Sequence, residues 1–212
     1  MLKLYYSPGT SSMASHITLE ETGAAYEARP ILFHKGEQRS EAYLKVNPRG
    51  KVPALECEDG QVLTENTAIL SYVAKKFPNA KLWPCDPMLE VRAISTMAWF
   101  STTVHPAFSH FVRPERYTAD AAGADKVKEQ GKKTFWGCLQ EIDQMLAGKE
   151  WVLGSQFTVC DPFALVFYGW GLRAELPMKD LKNYSALKDR LLQRPAVRKI
   201  LEREQSPILK AA

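Results

Sequence analysis

Three short stretches carry the residue types that chemistry needs. The first is Thr10-Ser11-Ser12 within YYSPGTSSMASHITLEETG (residues 5–23), three small hydroxyl residues where an apolar segment gives way to a helical pattern. The second is VNPRGKVPAL (46–55), in which Pro53 directly follows Val52 at the start of an apolar run. A proline there cannot donate to a ladder and is a candidate for a cis bond. A cis bond would turn the N–H and C=O of Val52 outward, where an extended peptide can pair with them as an added strand. An ordinary trans proline at a strand edge is the alternative. The third is LTENTAILSYVAKKFP (63–78). Asn66 is a favourable N-cap for the helix that follows, and a helix start offers free N–H groups and a positive dipole end to a carboxylate. Glu65 beside it suits an ammonium group. Together they match the head of an α-amino acid, against the alternative of a plain capped helix beside a solvated glutamate.

Those stretches lie on a compact order of elements. Leu2–Tyr6 reads as a strand, Ser12–Thr22 as a helix closed by Gly23, and Tyr26–Leu32 as a second strand. A short helix is expected around Glu41–Lys45. Val52–Glu56 and Val62–Leu63 flank the turn Glu58-Asp59-Gly60 and predict a hairpin, and Thr67–Phe77 has helical apolar spacing. The prolines between residues 78 and 88 mark a linker. Beyond it residues 89–112, 125–147, 159–173, 185–193 and 195–204 all read as helices. The expected fold is α/β plus all-α: a small α/β domain over 1–78, a linker over 79–88 and a helical domain over 89–212. Thr158 and Asp161 fit a capping box at the start of one of these helices. Pro106 cannot donate to the carbonyl of Thr102 and predicts a kink, with Ser101 and His105 on one face.

The bulk numbers exclude several classes. A chain of 212 residues with 45% hydrophobic content buries enough surface to need no staple. The net charge of +4 is mild, and the basic cluster Lys126, Lys128, Lys132 and Lys133 is diluted by Asp125 and Glu129, so it reads as a solvated helix face and no nucleic-acid partner is expected. The four cysteines show neither CxxC spacing nor zinc-like pairing with histidine, which suits reduced thiols in a cytoplasmic protein. No signal peptide or membrane-length apolar run is seen.

The opening, VNPRGKVPAL and LTENTAILSYVAKKFP, in this order and near this spacing, resemble the cytosolic glutathione transferases, as do the proline-rich linker, the helical second half and the TVCD box. The opening looks most like the bacterial beta class, in which a cysteine stands at the position of Ser11 and a histidine in the first long C-terminal helix lies near the bound thiol. This chain has His105 at the matching place and lacks the cysteine. The resemblance implies a thioredoxin-like N-terminal domain, a homodimer, and glutathione as co-substrate. The γ-glutamyl head would meet Glu65 and Asn66, the cysteinyl backbone would pair with Val52 before Pro53, and the glycine carboxylate would face Lys35 or Lys51, with His34 a weaker choice.

The thiol would then fall near Thr10, Ser11 and Ser12. A free thiol titrates near 8.5, and lowering that by ~2 units requires about 2.7 kcal/mol of preference for the anion. A hydrogen bond to a charged group supplies about 1.5–3 kcal/mol and a helix N-terminus roughly 0.3–1 kcal/mol, so one hydroxyl at a helix start suffices. Ser11 ranks before Ser12 and Thr10, with Tyr5 and Tyr6 as outside candidates. The expected reaction is attack of the thiolate on a small, largely apolar electrophile, in a pocket for which Trp99, Phe108, Phe111, Tyr117, Phe167 and Trp170 are available. Weak glutaredoxin-like activity is expected because the cysteine is missing. The alternatives are a non-catalytic glutathione- or ligand-binding module, or subunit of a larger complex, and isomerisation of a maleyl-type substrate.

Overall fold

The computed structural model describes residues 1–210. Four strands form one sheet: β1 (Leu2–Tyr6), β2 (Tyr26–Pro30), β3 (Ala54–Glu56) and β4 (Val62–Thr64), in the order β2-β1-β3-β4. β1 runs parallel to β2, with Leu4 opposite Ala28, and antiparallel to β3, with Leu4 opposite Leu55. A parallel neighbour needs a crossover, and α1 (Ser12–Glu21) supplies it. Alternation along β1 divides its side chains between two layers. Leu2, Leu4 and Tyr6 pack with Leu19, Ile69 and Val73, while Tyr5 packs on the other face with Ile31, Tyr43 and Ala54. The first face is covered by α1 and α3 (Asn66–Lys76), the second by α2 (Glu41–Val46).

α1 carries no polar face: every residue from Ser12 to Leu19 is buried. One side of it meets the sheet and the other meets the helical half of the chain, where Met13, Ala14 and Ile17 join the larger core. That half comprises α4 (Pro87–Trp99), α5 (His105–Val112), α6 (Ala121–Met145), α7 (Cys160–Arg173), α8 (Lys182–Leu192) and α9 (Pro195–Arg203). Pro106 acts on the turn before it: residues Phe100–Val104 open into a π turn between α4 and α5. A missing donor in the helix ladder is a common cause of such a widening. The stretch read as a linker is not a loose tether, since Leu82 and Trp83 are buried in the helical core and the N–H of Val159 donates to the carbonyl of Leu82 at 3.1 Å.

The start of α7 departs from a symmetric capping box. Asp161 Oδ2 accepts from the N–H of Thr158 at 2.7 Å, as the box requires, but the Thr158 hydroxyl oxygen accepts a long 3.4 Å contact from Cys160 N–H rather than serving the third helical residue. Asp161 Oδ1 instead reaches outward to accept from the N–H of Val152 at 2.8 Å. No helix among the described residues is long and apolar enough to cross a membrane.

Candidate functional site

A cavity of about 530 Å³ opens where the C-terminal edge of β1, the loops around β3 and β4, and helices α5 and α7 converge. Thr10 and Ser11 enter it from the β1–α1 turn, Lys51, Val52 and Pro53 from the start of β3, Glu65 and Asn66 from the start of α3, and His105 from the start of α5. Eight positions from four separate segments thus share one space.

The β1–α1 turn sorts the three hydroxyls by what they already bind. Ser12 is fully buried: its Oγ accepts from Ser7 N–H at 3.1 Å, lies 3.2 Å from the Ser7 carbonyl and 2.8 Å from Thr10 Oγ1. Thr10 Oγ1 donates to the Ser7 carbonyl at 2.8 Å. These two hydroxyls are consumed in closing the turn, and Ser12 does not line the cavity. Ser11, 5% exposed, lines it, and its hydroxyl makes no hydrogen bond among the described residues and does not cap α1. The tyrosines point elsewhere. Tyr5 donates its hydroxyl to Glu56 at 2.9 Å, and burial with that bond pushes its phenol up; Tyr6 is packed against the ring of His16 at 4.3 Å.

Asn66 does not cap α3. The capping position is Glu65, held at φ 70°, a left-handed conformation that a side chain adopts only at a cost of about 1–3 kcal/mol. With the chain turned that way, the Asn66 amide points back into the molecule, accepting from Ser15 Oγ at 2.8 Å and donating from Nδ2 to the Ser11 carbonyl at 3.0 Å. Asn66 therefore ties the start of α3 to the start of α1. The Glu65 carboxylate stays exposed, 3.7 Å from Arg49. The bond between Val52 and Pro53 is cis.

Lys35 is exposed on a 3-10 turn and does not line the cavity, nor does His34. Gly36, at φ 72°, reverses the chain immediately after Lys35, so Gln38 and Arg39 face the cavity from the next turn together with Phe33. Lys51 remains as the lysine at this end. His105 stands edge-on to Trp170, ring centres 4.9 Å apart. Burial, with the nearby cations Lys51 and Arg116, pushes its imidazole down to about 4, so it is neutral at pH 7.

The helical wall is aromatic: Phe108 stacks on Trp170 at 4.4 Å, and Phe163 and Tyr117 complete it. Trp99, Phe111 and Phe167 pack in or against the core and do not line the cavity. Trp170 Nε1 donates to the Gly9 carbonyl at 3.1 Å and Arg173 donates to the same oxygen at 2.5 Å, which fixes the helical half against the serine-bearing turn. Five arginines line the cavity: Arg39, Arg49, Arg113, Arg116 and Arg173. Sequence reasoning passed over them all. They come from separate segments with nothing in their spacing to group them, and only the fold brings them together. None of the four cysteines lines the space.

Residues 1–75 match the family model described as glutathione S-transferase, N-terminal domain. The chain is 30% identical to the glutathione S-transferase GstA of Escherichia coli O157:H7 over 205 residues, covering 96% of this chain and 98% of that one. Among solved structures it superposes on a glutathione transferase homologue from Sulfitobacter with bound glutathione with a TM-score of 0.91 at 30% identity, covering 96% of this chain and 98% of the other. It superposes on the beta-class glutathione S-transferase of Sphingomonas chungbukensis with a TM-score of 0.84 at 36% identity, covering 95% of this chain and 98% of that one.

Proposed function

The chain belongs to the glutathione S-transferase family and is a transferase with glutathione as its co-substrate; within that activity we propose that Ser11 holds the glutathione sulfur as a thiolate. One observation carries the assignment: of the three hydroxyls at the start of α1, that of Ser11 is unspent and faces the cavity, while those of Thr10 and Ser12 are committed to Ser7. A thiolate accepting from the Ser11 hydroxyl at a helix N-terminus gains about 2–3 kcal/mol, the amount needed to bring the thiol from about 8.5 to the neutral range. The bound peptide's own sulfur is the nucleophile, so no protein base is required. It attacks the electrophilic carbon and the leaving group departs with its electron pair.

The rest of the tripeptide follows the cavity wall. Glu65 takes the γ-glutamyl ammonium, the free N–H groups at the start of α3 its carboxylate, and Val52 beside Pro53 the cysteinyl backbone. Lys51 with Arg39 takes the glycine carboxylate, in place of Lys35. We assign residues 1–78 to the glutathione half, 79–88 to the joining segment and 89–212 to the half that receives a small electrophile. His105, neutral and beside Trp170, borders that second pocket as a hydrogen-bonding wall. The four free cysteines suit a cytoplasmic location.

A homodimer is supported by one face of the molecule. α4 leaves Met88, Val91 and Ile94 exposed at 61%, 60% and 48%, beside a hollow lined by Tyr72, Lys75 and Trp83. Adjacent exposed apolar side chains on a soluble helix mark a surface that a partner covers.

The test is calorimetry of glutathione binding followed by spectroscopic titration of the bound thiol. Binding at millimolar or lower concentration is expected, with the bound thiol of Ser11→Ala raised by at least one unit over the parent. No detectable association at millimolar glutathione refutes the docking, and an unchanged thiol in Ser11→Ala refutes the assignment to Ser11.

A further inference from the structure

The cavity carries more positive charge than glutathione can use. Its cationic lining is Arg39, Arg49, Lys51, Arg113, Arg116 and Arg173, and its acidic lining is Glu65. Glu65 already faces Arg49. The proposed tripeptide position uses Lys51 and Arg39 on the glycine carboxylate and the α3 start on the other, which leaves the three arginines of the helical wall. None of Arg113, Arg116 and Arg173 has an ion-pair partner among the described residues. Glu115, between two of them in the chain, does not line the cavity. Their placement is specific. Arg173 donates one N–H to the Gly9 carbonyl, one residue before Thr10, and its remaining donors are uncommitted. Arg116 lies near enough to His105 to help hold that imidazole neutral. The aromatic surface between them is Phe108, Trp170 and Tyr117.

On the reading that this cavity performs glutathione transfer, we infer that its second substrate is an aromatic electrophile bearing a carboxylate or similar anionic group, which Arg113, Arg116 and Arg173 recognise while the ring lies on Phe108 and Trp170. Guanidinium groups present paired N–H donors in the planar geometry of a carboxylate, and a pocket built around such donors rejects an uncharged analogue that leaves them unpaired. With an aryl chloride the step balances without a further reactant: the thiolate forms the C–S bond, the C–Cl bond breaks, and chloride leaves with its electron pair.

Two matched acceptors test this, 4-chloro-3-nitrobenzoate and 4-chloro-3-nitrobenzamide, with each enzymatic kcat/KM divided by the uncatalysed rate with glutathione. In parallel, calorimetry measures 3-nitrobenzoate and 3-nitrobenzamide binding to the full chain saturated with S-methylglutathione. The benzoate is expected to be preferred by roughly tenfold or more in both, the size of one charge-assisted hydrogen bond. That preference falls as sodium chloride rises from about 0.05 to 0.5 M, since a partly exposed pair is screened. The Arg113→Gln/Arg116→Gln double variant, checked for folding by circular dichroism, collapses the benzoate-to-benzamide ratio. Discrimination in binding with no turnover of either acceptor upholds the charge preference and refutes transfer. Equal affinities in the parent chain overturn the inference, as does a ratio indifferent to both salt and the double variant.

Discussion

His16 Nδ1 lies 2.7 Å from Glu204 Oε1, with both side chains fully buried and the two residues 188 positions apart in the chain. The same carboxylate accepts from the N–H of Gly9 at 3.3 Å through Oε2. Gly9 is thereby held on both sides: its N–H by Glu204, beyond the end of α9, and its carbonyl by Trp170 and Arg173 of α7. This peptide immediately precedes Thr10 and Ser11. A residue near the C-terminus thus helps set the turn that presents the hydroxyl.

Glu204→Ala leaves a buried imidazole and a backbone N–H without their acceptor. Each buried donor left unsatisfied costs about 1–3 kcal/mol, so the two together cost about 2–6 kcal/mol. For a chain of this size that corresponds to a fall in Tm of roughly 4–24 °C, at about 2–4 °C per kcal/mol. Glu204→Gln keeps an acceptor for Gly9 and is expected to lose less than half as much. Urea unfolding of the two variants checks the order, and equal losses would show that the geometry at Gly9 contributes little beyond charge.

Asp161 is the second buried carboxylate with a structural duty. Burial pushes its carboxyl up to about 7, while donors from Val152, Thr158 N–H and the Thr158 hydroxyl oppose that shift. Asp161→Ala strands two backbone N–H groups in the core and is expected to cost about 2–4 kcal/mol. Asp161→Asn turns an amide donor toward one of those N–H groups and falls in the same range. Glutathione affinity measured well below the melting transition should change less than twofold in both, because no atom of Asp161 reaches the cavity.

The sequence made the elements legible through different signals, from the Gly23 stop after α1 and the turn Glu58-Asp59-Gly60 between β3 and β4 to the apolar stripe of α3. That Thr10–Ser12, Val52-Pro53 and Glu65-Asn66 belong to one site was implied by the resemblance to the glutathione transferases, since each stretch by its residue types alone also fits an ordinary turn, strand edge or capped helix. What the sequence did not reveal depends on single torsions and on distant partners. Ser11 and Ser12 differ by one residue, and only the hydrogen bonds to Ser7 separate the free hydroxyl from the committed one. Asn66 has the composition of a helix cap, yet the left-handed turn at Glu65 directs its amide to Ser11 instead. Lys35 and Arg39 exchange places because Gly36 reverses the chain. Nothing near His16 in the chain marks its partner, because that partner is Glu204, close to the other end of the sequence.

The neutral imidazole of His105 makes a prediction about pH. An unfolded histidine titrates near 6.5, whereas burial holds this one near 4 in the fold. Between those values the unfolded chain binds a proton that the folded chain does not, so stability contributed by His105 is present above pH 6.5 and is lost as pH falls toward 4. The full loss is about 3–4 kcal/mol. Asp161, raised to about 7, acts with the opposite sign over the same window, so the difference in unfolding free energy between the parent chain and His105→Gln, in which Asp161 is common to both, should decline by this amount from pH 6.5 to 4. An identical slope in the variant would assign the proton to another group.

The contact between α5 and α6 rests on one glycine. A Cβ added at Gly131 would stand 2.5 Å from the backbone nitrogen of Phe111 and 2.7 Å from the carbonyl carbon of His110. Those are main-chain atoms and cannot swing aside, so Gly131→Ala must push the two helices apart, and α5 carries His105 and Phe108 along one wall of the cavity. Overpacking of this kind costs about 1–3 kcal/mol or more. Six residues further along α6, a Cβ at Gly137 meets nothing within 4 Å. There the substitution only removes backbone freedom from the unfolded chain, and Gly137→Ala should stabilise by about 0.5–1 kcal/mol. Opposite signs are therefore expected for one chemical change at two positions of one helix, read as midpoints of urea unfolding. Gly131→Ala should also raise KM for the electrophile while leaving glutathione affinity within about twofold, because the displaced wall belongs to the helical half. A destabilised Gly131→Ala with both constants unchanged would show that α6 yields and α5 stays in place.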